Sequence, residues 1–561
     1  MKTSHFSPDV IVIGSGAGGG AASWRLVKSG LKVLLIEAGP RFNPTKDYKQ
    51  DQSNWESGFP HKKNSVGNYE VAPMQLLDSS FDDIRSWNKL TGNLITSKRR
   101  ASFGYHHVRG VGGSSLQFTG EAHRLNPNSM KMRSAFDVSA DWPVSYEELD
   151  PYYSLAEEIV GVSGPKQDLS RPRSSELSQK AHPLSYASQL LANAAEEIGH
   201  SPIANSLAIL SSPYASRPSC NYCGGCQRGC QRKDKGSIDV TYIKEIEQNS
   251  NFRILSDSEV INIRATKDNT TSILFARAGN LHEVTAQHFI LAAGAIQTPR
   301  LLMNSSSEFH KSGIGNSEGN VGKYFMETIL NTSSALHPSP LGSHRGLPVD
   351  WISWKYNSPG TIPNFRGGCR FSPSMAESDL VGPISYATRV IGGWGLKHKI
   401  KMRQHFGSVL SMTGISESLP NNKSYISLSS KKDKWGQPIP VIHSYITNEQ
   451  KAAIRFMRTE CRLILSQAGC YSPFEEFSSA DAFSSTHVFG TCRMGNNPKS
   501  SVVDPWGKLH DMNNLWIADA SVFPSSGGGE SPGLTIQALA IRTADKLLEV
   551  INKKTLKSSF N

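Results

Sequence analysis

An α/β fold joined to a second, α+β domain is what this sequence predicts, and three observations predict it. Val10-Ile11-Val12-Ile13 runs straight into Gly14-Ser15-Gly16-Ala17-Gly18-Gly19, a helical stretch follows, and Val33-Leu34-Leu35-Ile36 closes a βαβ unit. Near the other end, Leu515-Trp516-Ile517-Ala518-Asp519 reads as a strand, followed by a Ser/Gly turn and a long amphipathic helix. Between about 330 and 500 the texture changes to short alternating segments of the antiparallel kind. Together these describe a Rossmann-type dinucleotide-binding domain, discontinuous because its last piece is C-terminal, plus an α+β domain with an antiparallel sheet.

Each element has a local reason. The first helix is expected over Ala21 to Lys28, with Ser29-Gly30 ending it. Phe289 to Ala293 is a strand that breaks at Gly294, and Ala295-Ile296-Gln297-Thr298-Pro299 follows it. Tyr425-Ile426-Ser427-Leu428 and Val441 to Tyr445 are antiparallel candidates. The last helix is expected from Pro532 to Ile551, with Leu534, Leu539, Ile541, Leu548 and Ile551 as its stripe. Pro532 suits the first helical position and Ser531 the N-cap. The domains are therefore placed at 8–329 (with loops at 40–110 and 220–237), 330–499 and 500–555, with 556–561 as a frayed tail.

Composition narrows the function classes. The 561 residues are 38% hydrophobic and 19% charged, which supports a large core and argues against a mostly disordered chain. The net charge of +12 is spread along the sequence. Its densest piece, Lys397 to Arg403, is read as a solvated basic face, and no nucleic-acid-binding module accompanies it. No apolar run reaches the roughly 18 residues of a spanning helix. The first residues carry no secretory signal, so a cytoplasmic location is the default expectation, with export alongside a partner subunit as the alternative.

Gly14-x-Gly16-x-x-Gly19 sits between a strand and a helix, and Glu37 ends the next strand. Gly14 permits a tight turn, Gly16 lets the backbone approach a pyrophosphate, and Gly19 lets helix and strand pack closely. The helix N-terminus offers free N–H groups and positive potential to phosphates. Glu37 can accept from both ribose hydroxyls. Spacing alone does not separate NAD from FAD, but an N-terminal site on so long a chain leans toward FAD.

Longer motifs carry a resemblance. His106-His107-Val108-Arg109-Gly110-Val111-Gly112-Gly113-Ser114-Ser115 is similar to a segment that wraps a flavin, and Gly294 to Leu302 resembles a second signature, with Ser305-Ser306 in place of its usual Ser-Gly. Trp142 to Tyr153, HVFGTCRMG (487–495), SVVDP (501–505) and NLWIADASVFP (514–524) follow in the same order. The chain thus resembles the glucose–methanol–choline (GMC) oxidoreductases. The resemblance implies a Rossmann-type FAD-binding domain and an alcohol dehydrogenase or oxidase acting on CH–OH donors: sugar, polyol, sugar acid or other alcohol. Hydride would pass to flavin N5. Within HxxGTxRMG, His487 matches the catalytic base, a role suited to neutral imidazole.

The second catalytic position of the family falls on Gly529-Glu530-Ser531-Pro532. Aligning on the proline selects Ser531; one extra residue in the turn selects Glu530. Arg109, Gly112, Gly113, Ser114, Ser115, Gly294, Asp519, Ala520 and Pro532 join Gly14, Gly16, Gly19 and Glu37 as expected FAD contacts. Covalent attachment in some relatives uses a histidine just after the Gly-Gly-Ser segment. Ser115-Leu116-Gln117-Phe118 has none, so noncovalent FAD is expected.

Cys220-x2-Cys223-x2-Cys226-x3-Cys230 has ferredoxin-like spacing, minus the following proline, and sugar dehydrogenases of the family hold an iron–sulfur cluster in about this stretch. It also resembles a metal-free loop of the long-chain alcohol oxidases. The metal-free loop is the leading reading, with an iron–sulfur cluster and then zinc as alternatives. Three other functions stay open: a lyase with structural FAD, an electron-transfer subunit with a cysteine-bound cluster, and a nicotinamide enzyme. Expected partners are a small-molecule alcohol and a cytochrome-like or other electron-acceptor protein.

Overall fold

The computed structural model describes residues 6–48, 70–71, 101–102, 107–375, 380, 382–383, 386–483 and 487–558. His106, most of the 40–110 loops and residues 559–561 lie outside the described residues.

The β-branched run at the N-terminus forms the centre of a five-stranded parallel sheet. Its order is Leu515–Ile517, His288–Leu291, Val10–Ile13, Val33–Ile36, Phe252–Leu255. Val10 lies level with Val33 on one side and with His288 on the other. A central parallel strand has no solvent face, which is why Val10, Ile11 and Val12 are wholly buried. Each such side chain contributes roughly 1.5–3 kcal/mol by leaving water. The helix after the glycine turn spans Ala17–Lys28 and packs against the C-terminal helix Gly533–Ser558. It begins four residues earlier than expected because the glycines themselves form its first turn. The C-terminal helix runs on to Ser558, into the expected tail; no Pro or Gly between Ile551 and Ser558 stops it.

The second domain is built on a six-stranded antiparallel sheet, ordered Glu475–Ser478, Ile329–Leu336, Val409–Ser416, Cys369–Pro373, Trp351–Ser353, Pro202–Ala204. Helix Asn448–Gln467 covers it, started by a reciprocal cap in which Thr447 and Gln450 satisfy each other's backbone N–H. Strand alternation sorts Ile329–Leu336 into two faces, so that Leu330 and Thr332 reach the cleft described below while Ser333 bonds Glu476 on the other side. Two features depart from the sequence reading. The edge strand Pro202–Ala204 belongs to the segment expected in the first domain, and proline is tolerated there because an edge position needs no N–H. The Tyr425–Lys432 and Pro438–His443 hairpin is antiparallel as expected but stands in a separate small sheet with Glu70–Val71. Its Ile426 and Ile442 are buried with Ala295 and Ile296 of helix Gly294–Asn304 instead.

Candidate active site

A cleft of about 1000 Å³ opens along the C-terminal ends of the parallel strands and continues to the antiparallel sheet. Its first wall is the glycine turn. A Cβ on Gly19 would sit 1.8 Å from the Gly14 carbonyl oxygen, so only glycine allows this approach of helix to strand. Helix Ala17–Lys28 has Gly16 at its N-cap with no side-chain hydrogen bond, leaving its N-terminal N–H groups toward the cleft. Glu37 also lines the cleft. Its carboxylate accepts the Ser15 N–H at 3.0 Å, the Ser15 hydroxyl at 2.7 Å and the Gly39 N–H at 2.9 Å. Burial pushes this carboxyl upward in pKa, and those hydrogen bonds oppose the shift.

Ser15, which the motif treats as a spacer, is a junction. Its hydroxyl also accepts the Gly112 N–H at 3.1 Å, which fastens the 110–113 turn over the first glycine loop. His107, Arg109, Gly113, Ser114 and Ser115 line the cleft from that turn, and Arg109 pairs with Glu259 at 3.0 Å. Gly112 and Gly19 stand behind this wall and shape it.

Across the cleft, Asp519 ties the last strand to helix Gly294–Asn304. It accepts the Gly294 N–H at 2.9 Å, the Thr298 hydroxyl at 2.5 Å and the Ser521 N–H at 2.9 Å. A carboxylate at that N-terminus is favoured by the helix dipole, though burial still raises its pKa. Ala520, Ser531, Pro532 and Gly533 continue this wall, so the C-terminal helix starts at the cleft. Open helix ends, a ribose-height carboxylate and glycine-thin turns are the donor set that FAD needs, and the residues present fit it.

The cleft also holds His487, half-buried on its wall. Desolvation holds its imidazole down to about 4; nearby Glu121 pulls it up and Arg370 pushes it further down. Glu121 also lines the cleft. It accepts from Arg370 Nη2 at 2.8 Å and from Asn205 Nδ2 at 3.2 Å. His123 lies behind, with Nε2 2.8 Å from Asn205 Oδ1 and Nδ1 accepting the Ser531 N–H at 3.0 Å. Burial and the Arg370 charge push His123 well below the usual histidine range. Arg370 also donates to the Gly529 carbonyl at 2.8 Å, fixing the turn that precedes Ser531. A Cβ on Gly529 would lie 2.2 Å from the Ile415 carbonyl oxygen, so that turn passes against the antiparallel sheet only as glycine.

The two expected alternatives for the second catalytic position separate here. Ser531 lines the cleft. Glu530 points away from it, buried in an ion pair with Arg171 Nη2 at 2.5 Å and accepting the Asn126 N–H at 3.2 Å. A charged carboxylate this deeply buried needs a cation, and Arg171 supplies it from the far side of the turn. Sequence reasoning missed Glu121, His123, Arg370 and Ser15. The only available signal was a charged run, Glu121-Ala122-His123-Arg124, close after the Gly-Gly-Ser segment.

The cysteine run forms a loop beneath the 113–118 turn. None of the four cysteines forms a disulfide among the described residues, and burial pushes the Cys220 thiol up to about 12 and Cys230 to about 11. Cys230 donates to Asp234 at 2.9 Å. Lys235, wholly buried, clamps the loop by donating to the carbonyls of Leu116 and Phe118 at 3.0 Å and of Cys226 at 2.6 Å. Among the described residues no group of three or more His, Cys, Asp or Glu side chains is arranged to hold a metal ion. An iron–sulfur cluster is therefore not supported. No helix among the described residues is long and apolar enough to cross a membrane.

Comparison with known proteins bears on the whole chain. Two GMC oxidoreductase family models match residues 89–327 and 420–540, and an NAD(P)-binding Rossmann-like model matches 12–56. The chain is 27% identical to 2-methyl-1,2-propanediol dehydrogenase of Mycolicibacterium austroafricanum, covering 100% of this chain and 99% of the relative. It is also 27% identical to the fructose dehydrogenase large subunit of Gluconobacter japonicus, over 98% and 99% of the two chains. Among solved structures, pyridoxine 4-oxidase from Mesorbium loti superposes with a TM-score of 0.63 at 18% identity, covering 96% of this chain and 99% of that one. That likeness speaks for the fold.

Proposed function

The chain belongs to the GMC oxidoreductase family, FAD-dependent enzymes acting on CH–OH donors, and from that premise we propose that it oxidises a small polyol or sugar-like alcohol with His487 as the base. The observation that carries this reading is the shared cleft: His487, Ser531 and Glu121 line the same volume as the glycine turn and Glu37.

Gly14, Gly16, Glu37, Arg109, Ser114, Ser115, Asp519 and Pro532 would hold FAD, which when bound supplies the acceptor for a hydride from the alcohol carbon. The chain's own work is to bind, orient and deprotonate. His487, held neutral by its surroundings, takes the hydroxyl proton on its imidazole. Glu121 stabilises the imidazolium that results, and Arg370 holds Glu121 in place. Ser531 offers a hydroxyl that orients the substrate oxygen, and His123 fixes the Ser531 backbone. Thr328, Thr332, Ser478 and Ser479 give the substrate end hydroxyl partners, which favours a polyhydroxylated substrate over a long apolar alcohol. The diol and sugar named in the relatives support the same choice. Noncovalent FAD and an electron-acceptor protein remain part of the proposal; the relative named as a large subunit supports the latter.

The test is anaerobic mixing of holoenzyme with polyols, sugars and aliphatic alcohols, following bleaching of the flavin. Wild type should be reduced by a polyol or sugar, and His487→Ala should retain flavin but react at least about a hundredfold more slowly. Reduction of that variant at the wild-type rate would remove His487 from the chemistry. Flavin freed by denaturation without proteolysis would agree with noncovalent binding.

A further inference from the structure

Helix Gly395–His405 stands apart from the rest of the surface. No residue in it is fully buried. Trp394, just before it, is 90% exposed, Leu396 is 73% exposed and Ile400 is 45% exposed. Leu396 and Ile400 are four apart and so share one face. Lys397 and Lys401 form a row on one side of them, and Lys399 and Arg403 form a row on the other, each pair again four apart. All four basic side chains are exposed, and none makes an ion pair among the described residues. From Ile391 to Ser416 the sequence contains no Asp or Glu.

The opposite face of the helix is anchored. Met402 and Phe406 pack on the cluster around Tyr386, Ile391 and Val409. The Tyr386 hydroxyl donates to the His405 carbonyl and accepts the Ser408 and Val409 N–H groups, each at 3.0 Å. The helix is thus held outward by its polar and aromatic underside, with an apolar ridge between two basic rows as its outer surface. The same Tyr386–Val390 turn carries Arg389, which lines the cleft.

We propose that this helix docks the protein on a membrane surface rich in anionic lipid. Trp394, Leu396 and Ile400 enter the headgroup layer, while the lysines and Arg403 extend to lipid phosphates. Charge complementarity and shape both select this occupant. The outer face is about 16 Å long and 10 Å wide, far below the roughly 800 Å² that a stable protein partner covers. It is convex, as an inserted ridge must be, and tryptophan favours the headgroup level. The proposal is independent of the reading of the active site.

Holoenzyme is sedimented with vesicles of phosphatidylcholine alone and of phosphatidylcholine mixed with phosphatidylglycerol. Wild type should sediment with the mixed vesicles, detach as salt rises, and ignore the neutral ones. The triple variant Lys397→Gln, Lys399→Gln, Lys401→Gln should lose roughly a hundredfold in partitioning, about fivefold per lysine. Trp394→Ser with Leu396→Ser should also weaken binding, and all these positions are exposed, so folding and flavin content should stay unchanged. Binding that is unchanged in both variants overturns the proposal. So does absence of sedimentation, which gives the ridge to an acidic protein or, if Trp394→Ser abolishes a dimer in ultracentrifugation, to a second copy.

Discussion

His123 accepts the backbone N–H of Ser531 through Nδ1 at 3.0 Å, which fixes the imidazole as the tautomer protonated on Nε2, the atom that faces Asn205. The ring also meets Trp354 edge-on, with centroids 5.1 Å apart. Replacing His123 with Leu keeps bulk but strands a buried N–H. The expected cost is about 1–3 kcal/mol in urea unfolding, together with slower flavin reduction at unchanged flavin content.

The acid limb of flavin reduction should lie near pH 4. Burial lowers the His487 pKa, so its neutral, proton-accepting form persists well below the ordinary histidine range and is lost only as pH falls through about 4. Single-turnover rates measured from acid to neutral pH check this. A limb between 6 and 7 would show that another group, or an unshifted imidazole, controls the step.

Arg171 should matter more to stability than Glu530 itself. Arg171→Met leaves the Glu530 carboxylate buried without its cation, at a cost of about 3–5 kcal/mol. Glu530→Gln keeps hydrogen bonds to Asn126 and Arg171 and should cost less. The double variant should be less damaged than the sum of the two, which denaturant unfolding of all four proteins reads directly.

Glu417 makes stability depend on pH. Burial, and then the neighbouring Glu530, push its carboxyl up to about 8 from a usual 4.5. The folded state therefore keeps a proton that the unfolded chain releases. Stability from this group is fully present below 4.5, falls as pH rises toward about 8, and levels off above it. Glu417→Gln should flatten that decline, so its melting temperature should gain on wild type between pH 5 and 8.5.

Lys235 holds three carbonyls with one ammonium. Lys235→Met should leave them unpaired, loosen the 113–118 turn and weaken FAD retention on dilution, while iron content stays unaffected.

What could be read from the sequence was local. Gly14, Gly16, Gly19 and Glu37 sit within one βαβ unit whose spacing is fixed by strand and helix lengths, so their meeting follows from their order. His487 and Ser531, to which the family motifs pointed, both line the cleft. Glu121, Asn205 and Arg370 were not legible, because three distant segments bring them together and a buried ion pair leaves no periodic trace in any of them. The pairing of Glu530 with Arg171 was hidden for the same reason: the two are remote in sequence. Pro202–Ala204 joined the second sheet because edge pairing is decided by which sheet has a free edge, which no short window of sequence records.

Strand His288–Leu291 pairs on its outer side with Leu515–Ile517, translated roughly two hundred residues later. During synthesis at about 5–20 residues per second, the nascent sheet must wait tens of seconds with that hydrophobic edge bare. The wall that Asp519 and the C-terminal helix add to the cleft arrives later still. Cofactor capture is thereby placed at the close of biogenesis, and a chain released early by a premature stop is left with an open strand edge, which invites aggregation and clearance.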